Sequence, residues 1–171
     1  MKDGLKLVSI WNVDCYGQDG VLKWSEENRN LVTNEGLDAI LDIMFHGSTQ
    51  ITTWYIALFE DNHTPAAADT YATPGYTEST AYDEATRPAF VEAAASSQSI
   101  TNSASKASFT MNATKTIYGA ALVGGGTGGN TKGDTAGGGT LYCVSQFTSG
   151  SKAVESADVL KVTVTITAAD A

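Results

Sequence analysis

Val159-Leu160-Lys161-Val162-Thr163-Val164-Thr165-Ile166-Thr167 decides the fold class. Valine, leucine and isoleucine alternate here with lysine and threonine at a period of two. That is the pattern of a strand with one buried and one wet face. Runs of the same kind recur along the chain. Residues 5–15 carry Leu5, Leu7, Val8, Ile10, Trp11, Val13 and Cys15, and Val21, Leu22 and Trp24 follow. Between them, Tyr16-Gly17-Gln18-Asp19-Gly20 has an Asp-Gly step, so 5–25 reads as an N-terminal hairpin. Residues 51–59, with Trp54, Tyr55, Ile56, Leu58 and Phe59, form another strong strand signal. Further candidate strands are 76–82, 88–94, 98–102, 106–111, 115–123, 140–148 and 158–168.

One helix interrupts this series. In 34–46, Leu37, Ile40, Leu41 and Met44 fall at i, i+3, i+4 and i+7 and share a face. Thr33 or Asn34 can cap it, Glu35 and Asp38 lie near its positive end, and Gly47 stops it after His46. The apolar stripe is expected to pack on a sheet. The whole chain, 1–171, therefore reads as a single all-β domain with one short helix. It is expected to be a β-sandwich of jelly-roll type. Residues 124–139 contain nine glycines, and their entropy cost predicts a mobile loop between two core strands.

Composition narrows the function. The net charge is −9 and the sequence pI is near 4.5, so most of the surface repels phosphates, against nucleic-acid binding. No apolar run approaches the length that spans a bilayer, and no signal peptide is visible. These features point to a protein made in the cytoplasm, with no membrane partner. Cys15 and Cys143 lie in apolar runs and read as free buried thiols, although a disulfide between them stays open.

No catalytic constellation emerges. The glycine-rich loop lacks the Gly-Lys-Ser or Gly-Lys-Thr of a phosphate loop. The two histidines are explained by a helix end (His46) and a solvated loop (His63). Glu60, Asp61, Asp69, Glu78, Asp83 and Glu84 cluster in 60–84 without the spacing of a calcium loop, and they read as a charged edge. No catalytic, cofactor or metal residue is expected. The hairpin and the long loop 60–75 are the expected contact surfaces. Candidate interface residues are Trp11 and Trp24 on the former, and Asp61, His63, Tyr71 and Tyr76 in or beside the latter. Trp54 reads as core.

Several segments together carry a resemblance. They are Asn30-Leu31-Val32-Thr33-Asn34-Glu35-Gly36-Leu37, Thr53-Trp54-Tyr55-Ile56-Ala57-Leu58, Pro65-Ala66-Ala67-Ala68-Asp69-Thr70, and Arg87-Pro88-Ala89-Phe90. Ile117-Tyr118-Gly119-Ala120-Ala121-Leu122 and Gly139-Thr140-Leu141-Tyr142-Cys143 complete the set. In order and spacing they resemble the small structural proteins of tailed bacteriophages. The resemblance implies a virion component on the capsid surface, a decoration or cement protein. Its partners would be the major capsid protein and further copies of itself in a homo-oligomer. A tail or head–tail component, including a receptor- or glycan-binding module, is the alternative. The resemblance supplies no catalytic residues.

Overall fold

The computed structural model describes residues 4–170. The described chain forms twelve strands and one helix. β1 (Leu5–Tyr16), β2 (Leu22–Arg29) and β3 (Leu31–Val32) precede α1 (Asn34–Phe45). β4 (Trp54–Phe59), β5 (Ala89–Phe90), β6 (Ser99–Thr101), β7 (Ala107–Thr110) and β8 (Lys115–Ile117) follow. β9 (Gly119–Gly124), β10 (Thr140–Gln146), β11 (Lys152–Val154) and β12 (Val159–Asp170) complete the chain.

The strands pair into two five-stranded antiparallel sheets and one small one, none closed. In the first sheet β1 lies between β2 and β12, and β12 also pairs with β6 and β7. The second has the order β3-β10-β9-β4-β5, and β8 pairs with β11 separately. Alternation explains what each strand buries. Trp11, Val13 and Cys15 of β1 share a face with Leu160, Val162 and Val164 of β12, to which they pair across the ladder. This face belongs to one hydrophobic cluster with Phe109 of β7, and with Ile56, Leu58, Ala120, Leu122 and Cys143 of the other sheet.

The second sheet is buried on both sides. Every residue of β9 is buried. Ala120 and Leu122 enter the shared cluster, whereas Ala121 and Val123 enter a second one with Phe59, Tyr71, Leu141 and Val144. Near-continuous apolar runs in β4, β9 and β10 reflect this two-sided burial. Among the described residues, that outer face is covered by the chain around Tyr71 and Tyr76 and by the glycine-rich loop, to which Tyr71 donates at the Gly128 carbonyl.

The hairpin 5–25 and the alternation of β12 form as expected. Elsewhere, the 76–82 candidate makes only isolated bridges, Phe59 with Glu78 and Tyr82 with Met111. The Thr77 N–H donates to the Asp61 carboxylate instead of to a neighbouring strand, and the backbone contact with β4 is limited to bonds such as Ser79 N–H to the Leu58 carbonyl. The 88–94 candidate shortens to Ala89–Phe90, and β3 and β11 are too short to have announced themselves by period.

Both cysteines are free and buried. Desolvation, reinforced by the carboxylate of Asp158 at 3.8 Å from its sulfur, pushes the Cys15 thiol up to about 12. Burial raises Cys143 as well.

Candidate interaction surface

The helix begins with a strong set of polar ties. Thr33 caps it, its hydroxyl accepting the Gly36 N–H at 3.0 Å and donating to the Leu141 carbonyl. The Glu35 carboxylate accepts the N–H groups of Leu141 and Tyr71. Gly36 rests on β10. A Cβ at this position would lie 2.8 Å from Tyr142 Cα and overlap its carbonyl, so only glycine permits the contact.

Past this anchor, the apolar stripe expected to be core faces water. Leu37 is 43% exposed, Leu41 55%, Met44 67% and Phe45 82%. Gly36 alone is buried, and Ile40 packs partly on the shared cluster. The reason is that α1 is apolar over a wide arc. Gly36, Ile40 and Ile43 form one stripe against the protein, while Leu37, Leu41 and Met44 form the next stripe round the helix. Periodicity announces an apolar face but does not say which stripe meets the sheet.

A groove of about 510 Å³ runs beside this helix. Ile43 and Met44 line it from α1, Trp54 and Phe90 from the second sheet, and Leu7 and Ile166 from the far ends of β1 and β12. The β1–β12 ribbon continues to the pair Leu5↔Asp170, beyond the first β2 pair at Ile10↔Arg29. Its inward alternation therefore carries Leu5 and Leu7 past the core to the groove. Leu5 is exposed, as is Val91.

The residues expected at an interface lie elsewhere. Trp11 is fully buried between the sheets and presents nothing to a partner. Trp24 packs edge-on to Phe147, with centroids 6.0 Å apart, and donates to the Ala153 carbonyl. Asp61, His63, Tyr71 and Tyr76 gather over the outer face of the second sheet. There Asp61 accepts the Thr77 N–H, His63 Nε2 lies 2.7 Å from Asp69 Oδ2, and Tyr76 stacks on Phe59. Tyr71 is 3% exposed, because it lies in a buried network rather than on the surface.

That network centres on Arg87, which sequence reasoning passed over. Its Nε and Nη2 donate to the two oxygens of Glu78 at 2.9 and 2.6 Å. Nη1 donates to Tyr71 Oη and to the carbonyls of Gly128 and Gly129, and Nη2 also reaches the Asp134 carbonyl. Burial alone would lower the guanidinium pKa, but the Glu78 hydrogen bonds and charge outweigh it and raise it. The Tyr71 hydroxyl in turn lies 2.8 Å from both Gly128 O and Asp134 Oδ2.

The glycine-rich loop, expected from composition to be mobile, thus follows a path tied to a buried cation. Gly126 shows why its glycines matter. It has φ +60°, and a side chain there would strike Gly137 and Gly138. The only available signals were a lone Arg87 before a proline and a glycine run rich in unshielded carbonyls.

Most of the acidic residues of 60–84 are likewise drawn into structure. Glu60 pairs with Lys115, and Glu84 accepts the Thr110 N–H and hydroxyl. Among the described residues, no group of three or more histidine, cysteine or acidic side chains is placed to hold a metal ion. No protein-family model matches this chain, and its comparison with curated proteins returns no match.

Proposed function

We propose that this chain is a structural protein of a tailed-phage particle, binding the outer surface of the capsid and stabilising it. The observation that carries the reading is the apolar face of α1 with its groove. Folded proteins rarely leave a contiguous apolar surface in water unless something covers it. The two open sheets would form a β-sandwich of jelly-roll type, a rigid body suited to holding a contact surface in place. The resemblance of the segments from Asn30 to Cys143 to phage structural proteins supplies the class of particle.

Stabilisation follows from mass action, since a protein that binds only the assembled lattice favours that lattice. Many copies on one particle add multivalency, so a modest contact per copy suffices. The test is to add purified protein to intact capsids, and then to measure co-sedimentation and resistance to heat. Failure of both ends the cement reading.

A second reading, a receptor- or glycan-binding module of the tail, draws on a different feature. A cleft of about 440 Å³ between 49–55 and the glycine-rich loop is lined by Thr49, Gln50, Thr53, Asn130 and the ring of Tyr55. Uncharged amides and hydroxyls beside an aromatic ring suit a neutral sugar. Glycan-array binding that Tyr55→Ala abolishes would favour this reading over the first.

A further inference from the structure

We infer that the partner seated on the α1 face presents an apolar ridge flanked by lysine or arginine side chains. The inference rests on the reading of α1 as the contact element and adds the chemistry of what docks there.

Three exposed carboxylates, Asp38, Asp42 and Glu92, border the apolar face. Asp38 and Asp42, one turn apart, adjoin Leu37 and Leu41 on the exposed side of the helix, and both are exposed. Glu92 lines the opposite side of the groove and is exposed too. None of the three is in an ion pair among the described residues. α1 also carries no lysine or arginine in its last turn, so no fixed positive charge faces the negative end of its dipole beside Met44 and Phe45.

Half of the chain's ten lysines and arginines are engaged elsewhere. Lys23, Lys106, Lys115, Lys152 and Arg87 are all paired with carboxylates. A net charge of −9 extends the same sign over the whole molecule.

Area and sign together select the occupant. The exposed apolar side chains offer on the order of several hundred Å², short of the ~800 Å² per partner of a standard interface. The charged rim must therefore be part of the contact. A second copy across a two-fold axis would set Asp38 and Asp42 against like charges, which disfavours self-association. A partner with a basic rim satisfies both the apolar face and the carboxylates.

The probe is a synthetic amphipathic helical peptide with a leucine ridge flanked by lysines, compared with a twin carrying glutamates in place of the lysines. Binding to the full chain is read by fluorescence anisotropy at low and high salt. The lysine peptide is expected to bind and to weaken several-fold with added salt, whereas the glutamate twin does not bind. Met44→Glu/Phe45→Glu should reduce binding at least tenfold without lowering the melting temperature, because both side chains are exposed. Asp38→Asn/Asp42→Asn should weaken it several-fold and flatten the salt dependence.

Equal binding of the twins, or no binding of either, overturns the inference. So does undiminished binding by Met44→Glu/Phe45→Glu, since attraction by net charge alone would favour that more acidic chain. A dimer in sedimentation equilibrium that this variant dissociates would make the occupant a second copy and also overturn it. The capsid assay separates the two proposals. Parent and Met44→Glu/Phe45→Glu chains that sediment equally with capsids would leave the virion role standing and remove α1 from it. Peptide binding without capsid binding would do the reverse.

Discussion

Arg87→Met tests the claim that one buried cation organises the outer layer of the second sheet. The substitution keeps an apolar side chain but removes every donor of the guanidinium. The Glu78 carboxylate, whose side chain is 7% exposed, is then left charged and without its bidentate partner. The carbonyls of Gly128, Gly129 and Asp134 also lose a donor. Removing one member of a buried ion pair costs about 3–5 kcal/mol. For a chain of this length each kcal/mol lowers the melting temperature by about 2–4 °C, giving a fall of about 6–20 °C.

Calorimetry measures that fall, and hydrogen exchange locates it. Amides of 125–137 should exchange faster in the variant, while those of β1 and β12 keep their order of protection. The double variant Arg87→Met/Glu78→Met should recover part of the loss, because the orphaned charge is gone but the carbonyls stay unpaired. A single variant melting within about 2 °C of the parent, which is under 1 kcal/mol for a protein of this size, would refute the reasoning. Exchange in 125–137 already at the unprotected rate in the parent would do so too.

Three further outcomes are expected. Gly36→Ala should destabilise by about 1–3 kcal/mol in urea titration, because its Cβ meets the Tyr142 backbone, even though alanine is the better helix former; a more stable variant would remove the close-approach argument. Burial acts to raise Asp158, Glu26 and Asp14, but hydrogen bonds and nearby lysines outweigh it and hold all three below their ordinary values. Their stabilising contribution is therefore complete above about pH 5 and lost as pH falls through the ordinary and then the lowered values, so thermal melts between pH 7 and 2 should show a steep acid decline, shallower in Asp158→Asn. Native protein at pH 8 should leave both thiols unreacted with a disulfide reagent, since burial and the raised Cys15 value suppress the thiolate, while urea should expose two; rapid native labelling would contradict the burial.

The strands were readable where local pattern and final environment agree. β12 alternates because one of its faces meets the core, and the turn at 17–20 follows from Asp19 and Gly20. The helix start was readable to within one residue for the same reason, since capping is settled locally, and the structure assigns the cap to Thr33 of the two candidates, Thr33 and Asn34. The exposed stripe was not. Leu37, Leu41 and Met44 obey the same spacing whether a sheet or water lies beyond them. Trp11 and Tyr71 were read as contact residues because aromatic side chains suit surfaces and cores equally well.

Sequence by itself determined the β-rich class, the single helix, the acidic composition and the hairpin. These depend on period, capping chemistry and charge, which are properties of neighbouring residues. Only the tertiary structure decided that Arg87, Glu78, Tyr71 and the glycine-rich loop form one network, and that half of the apolar arc of α1 stays in water. Those facts depend on pairs such as Arg87 with Gly129 or Gly36 with Tyr142, brought together by sheet pairing across long sequence separations. Local free energies do not encode which distant groups will meet.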